Sequence, residues 1–251
     1  MIEILSIDLS NYCSKGCYFC YNHSNKLGIT AWQPQEVIDF ASDCIVNGIK
    51  AISLGGGEPF EYEGIFSIIK ALYPKCYISI TSNGIPLEKE TIWENLKQNK
   101  PDKIHLTIHF PQDETEVSRI LNRLNCIAHI GITPGVNLLV GADNITHCQN
   151  VYRQLLSQLN PQQIILVPQR FSNTPSPKQL ASISDGNPFQ STSCLLQCQK
   201  PTNFVSISWD KKVNFCSYAE GKEPLIDLTY NGLSEALNRV NFHSCNTPYN
   251  K

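Results

Sequence analysis

Short apolar, β-branched runs alternate with amphipathic stretches along most of the chain, and this alternation constrains the fold more than any other feature. Strands are expected at Glu3–Leu9, Ala51–Leu54, Tyr77–Thr81, Lys103–Ile108, Thr133–Leu139 and Gln163–Val167. Helices are expected at Pro34–Asn47, Ile65–Leu72, Lys89–Lys97, Glu114–Ile127 and Cys148–Leu159. After the first unit the strands begin 26–30 residues apart, the spacing of parallel βα units joined by right-handed crossovers. The fold class is therefore α/β, and six such units make either a partial barrel or an open sheet. In both, loops after the carboxyl ends of the strands form the active face.

The texture changes beyond Arg170. Residues 172–193 are rich in Pro, Ser, Asn and Gly and read as a linker. The expected division is a core over 1–171, the linker, and a cysteine-containing extension over 194–251. Within the extension, Phe204–Trp209 and Lys212–Tyr218 read as a hairpin about Asp210-Lys211, and Leu233–Val240 as a last helix.

Composition narrows the partners. A net charge of −2 without a basic cluster argues against nucleic acid. The N-terminal MIEILSIDLS lacks the charged and apolar regions of a secretory signal, and no apolar run approaches a membrane span. A cytoplasmic location without membrane association is expected, where the 11 cysteines favour metal or redox chemistry over disulfides. The sequons at Asn22 and Asn144 then carry no meaning.

The first cysteine group is Asn11-Tyr12-Cys13-Ser14-Lys15-Gly16-Cys17-Tyr18-Phe19-Cys20, in the loop after the first strand. Three thiolates in one tight loop suit zinc or an iron–sulfur cluster, and a structural zinc site asks for a fourth ligand. The C-x3-C-x2-C spacing, with an aromatic residue before the third cysteine, resembles the radical S-adenosylmethionine superfamily. That resemblance implies a partial (β/α)6 barrel and a 4Fe–4S cluster on Cys13, Cys17 and Cys20, whose fourth iron is chelated by S-adenosylmethionine. It also sets the backbone of Phe19 near adenine. Gly55-Gly56-Gly57-Glu58-Pro59 after the second strand resembles the family's GGE segment, which binds the methionine amino group. Ser82-Asn83-Gly84 after the third strand resembles its TNG-like segment, with a simple turn as the alternative for Asn83. At later strand ends, Thr107 and Asn137 match cofactor-contacting positions. His109 and Arg170 are the side chains with catalytic chemistry there, as a base and a carboxylate partner; a structural role for His109 is the alternative.

The tail cysteines are Cys194, Cys198, Cys216 and Cys245. Their hairpin is similar to the auxiliary-cluster region of the SPASM and twitch families, with Lys211 where those families place a glycine. The resemblance implies one auxiliary 4Fe–4S cluster, which these four residues could close; the choice between Cys194 and Cys198 and the use of Cys245 stay open, and free thiols or zinc are the alternatives. Cys44, Cys76, Cys126 and Cys148 are expected to be small buried hydrophobes.

By resemblance, reduction of the cluster cleaves S-adenosylmethionine to a 5′-deoxyadenosyl radical that abstracts hydrogen from substrate carbon. Small size and a twitch-like tail resemble peptide maturases, including the spliceases that excise a tyramine unit. The implied partners are a precursor peptide, a small recognition protein, and flavodoxin or ferredoxin as electron donor. The alternatives are radical chemistry on a small molecule, and a zinc or iron–sulfur binding module without turnover.

Overall fold

The computed structural model describes residues 2–170, 172–186, 189–191, 198–243 and 245. They fall into two compact units.

The first unit comprises Met1–Ser82, Pro86–Asp102 and Lys200–Cys245. It contains β1 (Ile4–Asp8), α1 (Pro34–Val46), β2 (Ala51–Gly55), α2 (Ile65–Leu72), β3 (Tyr77–Ser82) and α3 (Glu90–Gln98). The second unit includes Asn83–Ile85 and Lys103–Gln199. It contains β4 (Lys103–Ile108), α4 (Glu114–His129), β5 (Thr133–Val140), α5 (Ile145–Leu155), β6 (Ile164–Pro168), α6 (Pro177–Ser182) and β7 (Gln190–Ser191). The chain then returns to the first unit for β8 (Phe204–Ile207), β9 (Lys212–Asn214), β10 (Glu223–Pro224) and α7 (Tyr230–Arg239). Strands in the first unit run β10-β9-β8-β1-β2-β3, and in the second β4-β5-β6-β7. The βα strands pair in parallel, as the alternation requires.

Strand periodicity separates two faces. In the first unit Leu5, Ile7, Ile52, Leu54, Ile78 and Ile80 are fully buried, while the alternate positions are hydroxyl-rich. α1 and α2 add Val37, Phe40, Ile68 and Ile69 to the apolar side. In the second unit Leu106, Ile108, Leu138 and Leu166 play the same part against Ile120 and Ile127 of α4.

Three expectations need correcting. Helix α5 begins at Ile145 and ends at Leu155, because Asn144 folds its carboxamide back onto the Gly141 amide (2.9 Å) while its carbonyl accepts the Cys148 amide. The stretch over 172–193 is not loop alone. Ser176 caps α6, with Pro177 at its first position and Gln179 completing the capping box. Finally, Cys44 and Cys148 are buried as expected, but Cys76 is half-buried and precedes β3, and Cys126 is exposed on α4.

The hairpin stands as expected. β8 pairs in parallel with β1 and antiparallel with β9. Lys211 adopts φ +58, the left-handed conformation that a glycine would take without strain. Its ammonium compensates by reaching Glu36 at 2.9 Å and lying over the Trp32 ring. No helix among the described residues is long and apolar enough to cross a membrane.

Candidate active site

The cysteine loop leaves the carboxyl end of β1 and is pinned by backbone pairing. Cys13 donates its amide to Asn25, Asn25 donates to Asn11, and Cys20 donates to Cys17. The Cys13 thiol is buried and accepts amide hydrogen bonds from Lys15 and Gly16. Burial pushes its pKa up, with Glu58 and Glu61 adding in the same direction and the two amides opposing. Amides aimed at sulfur are the donors a cluster-bound thiolate accepts, so this residue fits the role. Cys17 and Cys20 are half-buried in the same loop. Among the described residues no three His, Cys, Asp or Glu side chains are placed to hold a single metal ion. A cubane cluster spreads its thiolates more widely than one ion does. Phe19 is half-buried with its ring edge-to-face on Tyr18.

The glycine segment grips this loop. The Gly57 amide donates to the Ser10 carbonyl (2.7 Å) and the Glu58 amide to the Tyr12 carbonyl (2.9 Å). A Cβ on Gly57 would lie 1.8 Å from the Tyr12 oxygen, and one on Gly56 would lie 2.5 Å from the Ser10 oxygen. Two backbones meet here with no room for a side chain, which explains the glycines. Glu58 is fully buried and accepts from the Phe60 amide (3.1 Å) and the Ser82 hydroxyl (2.8 Å). It thus ties the carboxyl ends of β2 and β3 together. Pro59 opens a short 3₁₀ turn, and Glu61 at its end accepts the Ser14 amide (2.9 Å). This last bond, which the sequence did not announce, anchors the cysteine loop from a second side.

In the second unit, Asn83 accepts the Ile85 amide (2.8 Å) in a local turn, and Arg119 donates to its carbonyl. Thr107 and Asn137 face each other in register on β4 and β5. The Asn137 carboxamide oxygen lies 3.1 Å from Nδ1 of His105, a residue the sequence reading passed over. The His105 ring occupies the space that Gly135 leaves, 2.9 Å from where a Cβ would sit. Burial lowers the His105 pKa to about 4, Lys103 contributing and Asn137 opposing, so the ring is neutral at pH 7. The signal for it in the sequence is alternation: His105 and Thr107 share a strand face. His109, at the end of β4, is tied to α4. Its amide donates to buried Glu116 at 2.7 Å, and its Nδ1 lies 3.6 Å from the same oxygen. Arg170 is buried just beyond β6.

Of the tail cysteines, Cys194 lies outside the described residues. Cys198 and Cys216 are half-buried and Cys245 is buried. Cys198 falls in the second unit, Cys216 and Cys245 in the first. In the first unit Tyr21 is within electrostatic reach of both Cys20 and Cys216, and its ring packs on Tyr218 with centroids 4.7 Å apart.

Residues 7–130 match the model of the radical SAM superfamily. The chain carries a radical SAM domain. That superfamily is one of enzymes, and it implies a 4Fe–4S cluster and S-adenosylmethionine. Curated relatives include a probable GTP 3′,8-cyclase of Methanocella arvoryzae, 26% identical over 53% of this chain and 46% of that protein. Another, from Thermoplasma volcanium, is 27% identical over 55% of this chain and 45% of its own length. The chain thus spans about half the length of the curated relatives it matches. Among solved structures, Streptococcus suis SuiB bound to its precursor peptide SuiA matches with a TM-score of 0.69 at 14% identity, over 86% of this chain and 60% of that one. The enzyme anSMEcpe, with bound AdoMet and Cp18Cys peptide, matches with a TM-score of 0.69 at 16% identity, over 95% of this chain and 83% of that one. These likenesses show the fold, the α/β partial barrel of radical SAM proteins.

Proposed function

We propose that the chain is a radical SAM enzyme that modifies a peptide. The observation that carries this reading is the extent of the fold match: solved structures holding bound peptides superpose on 86% and 95% of this chain, well beyond the radical SAM domain at 7–130.

In this reading Cys13, Cys17 and Cys20 hold the first cluster, and Gly55–Glu58 with Ser82 bind S-adenosylmethionine. Phe19, Pro59, Asn83, Thr107 and Asn137 line the cofactor. When bound, the cluster and cofactor supply one-electron cleavage and hydrogen abstraction from carbon. Cys194, Cys198, Cys216 and Cys245 hold an auxiliary cluster, a role supported by the left-handed turn at Lys211 that keeps the hairpin geometry without a glycine. A small recognition protein and a flavodoxin or ferredoxin complete the system. Excision of a tyramine unit is the finer form of this reading.

The second reading is a small-molecule substrate, and the cyclase-named relatives favour it. Anaerobic turnover separates the two. A synthetic peptide library should yield a mass change and raise 5′-deoxyadenosine formation, whereas GTP should do neither. Turnover of GTP with no peptide modified would establish the second reading.

A further inference from the structure

Three adjacent parallel pairings in the first unit bring four serines into one row. Ser206 of β8 faces Ser6 of β1, Ser6 faces Ser53 of β2, and Ser53 faces Ser79 of β3. Neighbouring strands lie about 4.8 Å apart, so the row is a continuous hydroxyl strip. Ser206 spends its hydroxyl on Ser217 at 2.8 Å. Ser6, Ser53 and Ser79 remain half-exposed. Polar positions this regular on a strand face do not serve the core, which uses the opposite face.

One layer nearer the carboxyl ends of the strands stands Asp8. By alternation it shares the face of Ser6. It is opposite Gly55, where a Cβ would come 3.5 Å from Asp8 Oδ1, so the glycine leaves the carboxyl uncovered on that side. Asp8 is only 2% exposed, and its Oδ2 has no hydrogen-bond partner among the described residues. Lys222 attracts it through space but forms no ion pair with it among the described residues. A buried carboxylate oxygen without a donor is costly, and native proteins keep such groups where a ligand completes them.

We propose that Asp8, with the hydroxyls of Ser6 and Ser53, forms a subsite for an ammonium group of the substrate, that of a lysine side chain. An ammonium fits better than a guanidinium. It is a compact charge with three donors, one for Asp8 Oδ2 and two for neighbouring hydroxyls, whereas a guanidinium prefers both oxygens of a carboxylate in one plane. Burial holds the Asp8 pKa at about 6, against the pull of Lys222, so the group is mostly ionised at pH 7.5 and receptive to a cation. The inference rests on the peptide reading for the origin of the lysine, but not for the chemistry of the site.

The test uses the anaerobically reconstituted protein, saturated with S-adenosylmethionine, and two probes. N-acetyl-lysine methylamide and its uncharged isostere N-acetyl-norleucine methylamide are titrated calorimetrically at pH 7.5. The lysine probe should bind at least tenfold more tightly, and Asp8→Asn should bring that ratio to about one. Ser53→Ala, which keeps the carboxylate, should weaken the lysine probe severalfold and leave the norleucine probe unchanged. Iron content and thermal unfolding verify that each variant is folded. The proposal is overturned if no binding of the lysine probe is measurable, if Asp8→Asn leaves the ratio intact, or if the lysine probe binds only when S-adenosylmethionine is absent. The last result would give Asp8 to the cofactor's own ammonium. Because the probes are not substrates, a lysine-selective Asp8 site with no peptide turned over would retain the subsite and reject the peptide reading.

Discussion

Replacing Gly57 by alanine should disable the cysteine loop more severely than any other single methyl group in the glycine segment. The added Cβ would sit 1.8 Å from the Tyr12 carbonyl oxygen and 2.5 Å from its carbon, both backbone atoms that no rotamer change can move. Relief requires the two segments to separate by more than about 1 Å, since non-bonded carbon contacts begin near 3.5 Å. Separation stretches the Gly57–Ser10 and Glu58–Tyr12 hydrogen bonds, now 2.7 and 2.9 Å. Each is worth about 1 kcal/mol, and overpacking adds about 1–3 kcal/mol, so the loss is roughly 3–5 kcal/mol. For a chain of this size that lowers Tm by roughly 6–20 °C. The displaced loop carries Cys13, Cys17 and Cys20, so iron content should fall and 5′-deoxyadenosine formation should drop by at least 100-fold. Gly55→Ala is the internal control. Its Cβ meets only Asp8 Oδ1 at 3.5 Å, an ordinary contact, and it should keep Tm within about 3 °C. Anaerobic reconstitution, iron analysis, thermal unfolding and product chromatography measure all of this. A Gly57→Ala protein with wild-type Tm and iron content would refute the reasoning, because the close backbone approach would then not exist.

Three further predictions concern titration and the hairpin. Asp8 has a folded pKa raised to about 6 from 3.8, so the folded state is penalised as pH rises through that window. Asp8→Asn should therefore stabilise the protein at pH 7.5 by about 1–3 kcal/mol, with the gain vanishing below pH 4 in denaturant titrations. His105 runs the other way. Its folded pKa of about 4 against 6.5 means stability is lost as pH falls from 6.5 toward 4, and His105→Gln should remove up to about 3 kcal/mol of that acid sensitivity. At Lys211, φ +58 disfavours a β-branched side chain, so Lys211→Val should cost about 2 kcal/mol or more by urea unfolding. Lys211→Gly should stay within about 1 kcal/mol of the parent, because relief of strain offsets loss of the half-exposed pair with Glu36.

Much of the core was readable because its signals are local. The alternation in ILSID and the apolar run IFSIIKAL fix β1 and α2 without reference to anything distant. The cysteine loop and the glycine segment were readable for the same reason, each lying in one contiguous stretch at a strand end. What escaped depends on register between strands some 30 residues apart. His105 meets Asn137 only because β4 and β5 align Thr107 with Asn137. Ser206 joins the serine row only because β8, a strand from the tail, pairs beside β1. Glu61 reaching Ser14 likewise spans 47 positions. One miss was avoidable. Ser176-Pro177-Lys178-Gln179 is a capping box with proline at the first helical position, and composition alone obscured it as a loop.

The central claim is that Cys13, Cys17 and Cys20 hold a cluster that cleaves S-adenosylmethionine. It is tested most directly by comparing the anaerobically reconstituted protein with its Cys17→Ala variant for iron, sulfide and 5′-deoxyadenosine formed under a reductant. The account predicts about eight irons falling to about four, the auxiliary cluster surviving, and complete loss of 5′-deoxyadenosine. A variant that still produces 5′-deoxyadenosine would contradict it.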